Sequence, residues 1–131
     1  EGAAHVDYGF HMAITKADRA TFDDMQAMID QGVSTFKVFL AYPNVLMVTD
    51  DLFVACLEKT KDIGGLVMVH AENGFAIDHL VKKALAAGET DPIYHALTRP
   101  EEMEAEATGR AVRLWRFSNS MTRAADPPAT R

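Results

Sequence analysis

Lys37 sits within residues 35–42 (TFKVFLAY), a nearly continuous apolar run, the pattern of a strand buried on both faces of a parallel sheet. Desolvating an ammonium there costs several kcal/mol unless it is paired, neutral or modified. Three chemistries compete for such a lysine. It can snorkel or pair with an internal carboxylate, or it can form a Schiff base in an aldolase-type barrel. Alternatively, its neutral amine can take up carbon dioxide and become a carbamate, which turns a cation into an anionic ligand bridging two metal ions. The third chemistry needs histidine partners. His70 follows residues 66–69 (LVMV), at the carboxyl end of the next strand, the edge where parallel α/β folds collect functional residues. The plain reading of a lone histidine is a hydrogen-bonded structural role. Beside Lys37, however, two inward-pointing groups on adjacent strand ends can converge on one ion, and imidazole is a good zinc ligand.

Other polar side chains surround this pair in the sequence. Glu72 and Asn73 follow His70 closely enough to orient it through the outer hydrogen bonds that metal sites need. Tyr42 reads at first as a half-buried aromatic at a strand end. His11 and His95 read as structural or outer residues, and His5 and His79 as surface positions. Glu101, Glu102, Glu104 and Glu106 read as a solvated helix face; the alternative is that one of them anchors a loop near the site.

The elements that must hold these groups alternate. Residues 6–14 (VDYGFHMAI) are β-branched and aromatic, as in a strand. Phe22, Met25, Met28 and Ile29 recur at helical spacing behind Thr21 as N-cap, with Gly32 as the stop. After the 35–42 strand and the Pro43–Asn44 turn, Thr49 caps a second helix with the stripe Leu52, Phe53, Cys56 and Leu57, closed by Gly64 and Gly65. The short LVMV strand leads to a third helix, with Ile77, Leu80, Val81, Ala84 and Leu85 as its stripe and Gly88 as its stop. Residues 89–94 read as loop. Thr98, Arg99, Pro100 and Glu101 open a further helix that is expected to reach about Trp115. Three consecutive β-then-α units predict a parallel α/β sheet with right-handed crossovers. Residues 118–131, with Pro127–Pro128 and little apolar periodicity, are expected to be a disordered or non-native tail, leaving 1–117 as the domain.

Bulk properties exclude other classes. The 131 residues are 48% hydrophobic and 24% charged, an ordinary globular composition rather than a disordered one. With 13 basic against 19 acidic residues the net charge is -6, which argues against nucleic acid or an anionic membrane as a partner. No apolar run approaches the ~20 residues of a membrane span. The single Cys56 has no intramolecular disulfide partner, so a reducing, cytoplasmic setting is expected.

Residues 7–15 (DYGFHMAIT), 36–47 (FKVFLAYPNVLM), 67–74 (VMVHAENG) and 91–100 (DPIYHALTRP) closely resemble the dihydropyrimidinase and D-hydantoinase group of the amidohydrolase superfamily. The resemblance covers about residues 7–114. It implies part of a (β/α)8 TIM-type barrel, here about three βα units plus a further helix, and metal-dependent hydrolysis of a small cyclic amide or imide, such as a dihydropyrimidine or hydantoin. As cofactors it implies two zinc ions bridged by carboxylated Lys37, with His70 as a ligand of one. Tyr42 would hydrogen-bond the substrate carbonyl and the oxyanion formed on attack, while Phe39 and Leu46 would shape the pocket for the ring substituent. A homo-oligomer, a tetramer by resemblance, is implied for the longer protein. The family's HxH pair, its later histidine and its aspartate have no counterpart in these 131 residues. The chain is therefore expected to be an internal fragment, inactive by itself, with a frameshift or artificial terminus behind the foreign-looking sequence from Arg116. The resemblance extends to allantoinases and dihydroorotases, and to non-catalytic dihydropyrimidinase-related proteins, which lack the lysine that Lys37 keeps.

Overall fold

In a computed structural model of the chain, which describes residues 5–16 and 18–125, Phe36, Val38 and Leu40 are buried while Thr35, Lys37 and Phe39 between them are only half-buried. That period of two makes residues Thr35–Phe39 the central strand of a three-stranded parallel sheet. In chain order the elements are β1 (Met12–Ala13), α1 (Arg19–Asp30), β2 (Thr35–Phe39), α2 (Asp50–Ile63), β3 (Leu66–His70), α3 (Gly74–Ala86), α4 (Ile93–Leu97) and α5 (Glu101–Ala125). The sheet order is β1-β2-β3. Its register places Ala13 beside Lys37, Lys37 beside Met68 and Phe39 beside His70.

One face of the sheet carries the core. Phe36, Val38 and Leu40 pack there with Met25 of α1, Phe53 and Cys56 of α2, and Ala107 and Ala111 of α5. The two alanines, four apart on α5, present a small-residue stripe that lets this helix lie close to α2. Cys56 is fully buried, and desolvation pushes its thiol up to about 11, so it is inert packing rather than a nucleophile. Lys37, Phe39 and His70 belong to the opposite face and take no part in that core. The two-sided burial read for residues 35–42 is therefore corrected: among the described residues the helices cover one face only.

The first strand is shorter than expected. Only Met12–Ala13 pair with β2, and the Ile14 N–H donates to the Lys37 carbonyl at 2.8 Å. Val6, Tyr8 and Phe10 remain exposed, and Tyr8 and Phe10 meet each other edge-on. Strand propensity alone makes no ladder without a neighbouring backbone to pair with.

The helix start is also displaced. Asp18, not Thr21, caps α1: its Oδ1 accepts both the Thr21 N–H and the Thr21 hydroxyl at 2.9 Å. These bonds from Thr21, the backbone one foremost, hold the Asp18 carboxyl below its ordinary value of 3.8. A carboxyl lowered by folding stabilises the folded state above its ordinary pKa and loses that contribution as pH falls through the folded value. Asp18→Ala is expected to lower the urea midpoint at pH 7, with a gap to wild type that closes as pH drops below 3.8. A constant gap across that range would remove the charged cap as its cause.

The second and third units follow the sequence reading closely. Thr49 enters α2 in extended conformation, Gly64 ends it at φ +73°, and β3 follows at once. Residues 89–94 are not all loop, because α4 begins at Ile93 and ends where the Thr98 hydroxyl returns to the Tyr94 carbonyl at 2.7 Å. The last helix, α5, continues past Trp115 to Ala125. No Gly or Pro interrupts residues 110–126, Ser118 is buried, and the Asn119 and Ser120 side chains donate back to the carbonyls of Trp115 and Phe117. Local polarity is thus absorbed within the helix. The rest of the expected tail, residues 126–131 with both prolines, lies outside the described residues. Among the described residues no helix is long and apolar enough to cross a membrane.

Candidate functional site

Parallel strands bring their carboxyl ends to one edge, and here β2 and β3 deliver four predicted residues to it. Lys37 and His70 share the face opposite the core. Because Lys37 is level with Met68, His70 lies one strand over and two residues on, about 8 Å away at Cα by ordinary sheet spacing. Phe39 lies between them. Its ring is 5.5 Å from the Lys37 Nζ and 5.7 Å from the His70 ring, stacked at 30°. The ammonium therefore has a π-face for company, worth about 0.5–1 kcal/mol at a half-exposed position. Among the described residues it forms no ion pair with a carboxylate.

Tyr42 completes the aromatic group, 5.3 Å from the His70 ring and 6.1 Å from that of Phe39. It gets there through strained backbone. Tyr42 and Asn44 both adopt φ +63°, a conformation costing a non-glycine residue about 1–2 kcal/mol. The Tyr42 carbonyl accepts the N–H groups of Val45, Leu46 and Met47 at 3.1–3.2 Å, and the Val48 N–H returns to the Phe39 carbonyl at 2.9 Å. These bonds over-determine the turn and hold the tyrosine beside the histidine. Backbone strain of this kind concentrates at functional sites.

Glu72 lies against His70. Its Oε2 lies 2.7 Å from His70 Nε2, which engages one ring nitrogen and leaves Nδ1 to face another partner. Asn73 does not join them. Its Oδ1 caps α3 by accepting the Ala76 N–H at 3.1 Å, and its Nδ2 donates to Glu106 on α5 at 2.8 Å. Leu46 is half-buried within the turn and touches the site through its backbone bond to Tyr42. His11 is exposed with its Nδ1 2.6 Å from the Thr35 hydroxyl oxygen, and His5, His79 and His95 are exposed.

Sequence reasoning missed two neighbours. Arg99 and Asp78 line an open cleft of about 190 Å³ with Tyr42, Pro43 and Glu72. They come from α3 and from the segment before α5, so no local spacing ties them to Tyr42. It also passed over Arg110, whose Nε donates to Glu106 at 3.0 Å and whose Nη1 pairs with Asp50 at the start of α2. The i,i+4 spacing of Glu106 and Arg110 was a readable signal for the first of these bonds.

The donor set suits a metal in kind. His70 offers Nδ1 while a carboxylate holds its other nitrogen, the arrangement that steadies imidazole ligands. Lys37 is half-buried, aimed at the same edge and unpaired with any carboxylate among the described residues. In number the set is incomplete: no group of three His, Cys, Asp or Glu capable of holding an ion exists among the described residues.

No protein-family model matches the chain. Curated relatives do. The chain is 49% identical over 120 residues to a D-hydantoinase of Geobacillus stearothermophilus, a match spanning 91% of this chain and 26% of that protein. It is 51% identical over 116 residues to a dihydropyrimidinase of Arabidopsis thaliana, spanning 88% of this chain and 22% of the relative. Among solved structures, D-hydantoinase from Bacillus sp. AR9 superposes with a TM-score of 0.87 at 49% identity, over 89% of this chain and 26% of the other. L-hydantoinase from Arthrobacter aurescens superposes with a TM-score of 0.74 at 27% identity, over 86% of this chain and 25% of the other. The chain thus spans about a quarter of the length of the relatives it matches.

Proposed function

We propose that this chain, which over nine-tenths of its length is a homologue of D-hydantoinases and dihydropyrimidinases, is a segment of a cyclic amidohydrolase that opens a dihydropyrimidine or hydantoin ring. The observation that carries this reading is the convergence of Lys37, Phe39, Tyr42 and His70 at the carboxyl edge of the β2–β3 pair. Three parallel strands with their core helices on one face also suit one arc of a closed barrel, the exposed face becoming its interior.

In the longer protein, Lys37 as a carbamate and His70 through Nδ1 would hold two zinc ions together with donors from elsewhere in that protein. Bound zinc would supply Lewis acidity toward the ring carbonyl and acidify water at neutral pH. This chain's own residues supply the rest. Glu72 fixes the His70 ring and its tautomer. The Tyr42 hydroxyl donates to the carbonyl oxygen as negative charge develops there, an interaction stronger in the transition state than in the ground state. Phe39 presents apolar surface beside Lys37 and His70, against which the substrate's ring substituent would pack. Leu46 limits the ring substituent from the turn beyond Tyr42.

The direct test is hydrolysis of dihydrouracil and hydantoin by the full-length protein, before and after chelator treatment. Turnover lost on chelation and regained with zinc is the expected result, together with no turnover by the 131-residue chain alone. Metal-independent turnover by the full-length protein would refute the reading.

A further inference from the structure

His70 has an outer support that extends well beyond Glu72. Its strand end runs directly into residues 71–73, which belong to no helix or strand, and the far end of that short link is gripped by α5. The Asn73 N–H donates to the Met103 carbonyl at 3.0 Å, and Asn73 Nδ2 donates to Glu106 Oε2 at 2.8 Å. The other oxygen of Glu106 accepts from Arg110 Nε at 3.0 Å, and Arg110 Nη1 pairs with Asp50 in the first turn of α2. At its near end the link is held by β2, since the His70 carbonyl accepts from the Leu40 N–H at 2.9 Å. Glu72 lies between these clamps. With both ends tied, the backbone that carries Glu72 is held in place, and its carboxylate reaches His70 Nε2 from there.

We propose that Glu106, held by Arg110, is a positioning residue for His70, acting through Asn73 and the 71–73 link to keep Glu72 on the imidazole. The proposal rests on the metal-binding role given to His70 above. It distinguishes Glu106 from Glu101, Glu102 and Glu104, equally exposed on the same helix, by its bond to Asn73. A hydrogen-bonded support behind a metal ligand is worth about 10–100-fold in metal affinity; Glu72 is that support, and Glu106 acts on it through Asn73 and the link, so the low end of the range applies.

The chemistry of the Asn73–Glu106 pair allows a test by polarity exchange in the full-length protein. Asn73→Asp keeps an oxygen to cap α3 but sets a carboxylate against Glu106 and breaks the link. Adding Glu106→Gln restores it with the donor reversed, since the glutamine amide N–H can donate to Asp while its oxygen still accepts from Arg110. Net charge is the same in the double variant as in wild type. Glu106→Ala, at an exposed helix position that tolerates alanine, provides a second break that does not perturb the cap.

Two readouts are needed: zinc affinity by competition titration, and the ring ¹H–¹⁵N resonances of His70 in metal-free, histidine-labelled protein. The expected result is a loss of zinc affinity of about 10-fold, the low end for a support behind a ligand, and a shifted His70 ring in both single variants, with the urea midpoint of Glu106→Ala lowered by no more than its exposed pairs contribute, and zinc affinity regained to within about twofold in the double variant. Wild-type zinc affinity and ring resonances in Glu106→Ala and Asn73→Asp would overturn the proposal. If the wild-type protein takes up no zinc, the functional reading fails instead, and the metal-free ring resonances decide the positioning role by themselves.

Discussion

Replacing Lys37 by alanine in the full-length protein is expected to reduce kcat/KM for ring opening by about 10³-fold or more, a loss of roughly 4 kcal/mol of transition-state stabilisation, and to reduce bound zinc. The reason lies in the strand. Lys37 is half-buried on the face that carries His70, with an aromatic ring and no carboxylate beside its ammonium among the described residues. A simple structural cation would be served equally well by Lys37→Arg, which keeps the charge and the reach. A carbamate would not, because guanidinium does not take up carbon dioxide under these conditions and stays cationic. Arginine and alanine variants should therefore be equally inactive and equally poor in zinc, with urea midpoints close to that of wild type when all are compared metal-free. Full metal content in either variant would sink the bridging role. Activity in Lys37→Arg alone would point to charge rather than ligation.

The largest effect on folding is expected at Gly74, the first residue of α3. A Cβ built there would lie 2.9 Å from the Ala41 Cα, 3.0 Å from the Leu40 carbonyl oxygen and 2.8 Å from the Met47 sulfur. The sulfur can swing away, but the two backbone atoms cannot, because the Gly74 N–H itself donates to the Leu40 carbonyl at 3.1 Å. Gly74→Ala should cost about 1–3 kcal/mol as an overpacked contact between tightly held segments, and Gly74→Val more. Because the contact joins the start of α3 to the segment leading from β2 into Tyr42, the same change should loosen the Tyr42–His70 approach. Gly109→Ala provides the contrast. It lies inside α5 with only the Arg113 guanidinium within 4 Å, at 3.7 Å, and should gain up to about 1 kcal/mol from helix propensity. Urea denaturation of the three glycine variants checks both signs. A neutral Gly74→Ala would show that the 73–74 turn is free to move.

How much of this was legible in the residues varies by element, for identifiable reasons. The strand carrying Lys37, the helix between Thr49 and Gly64, and the strand ending at His70 were readable because each has a local cause: apolar runs for the strands, and for the helix two acids in its first turn and a left-handed glycine stop, although the Thr49 side chain makes no capping bond. The first strand is shorter than its composition suggests because pairing is a property of two segments, and only Met12 and Ala13 meet β2. The final helix is longer than its sequence suggests because Ser118, Asn119 and Ser120 look like a break, whereas burial of Ser118 and carbonyl bonds from Asn119 and Ser120 hold them within α5. Asn73 lies near His70 along the chain, yet its amide is claimed by the α3 cap and by Glu106, 33 residues away.

The sequence by itself determined the alternation of strand and helix, the placing of Lys37 and His70 on neighbouring strands, and the family resemblance that its relatives bear out. Those are consequences of periodicity, capping and motif order, all of which are local. Only the tertiary structure decided which face of the sheet Lys37 occupies, that Phe39 and Tyr42 close on His70, and that Glu106 rather than its acidic neighbours reaches the loop behind it. Each of these depends on the register between strands and on the seating of α5 against α2. A contact between residues distant in sequence is set by packing geometry, and no single segment carries that information.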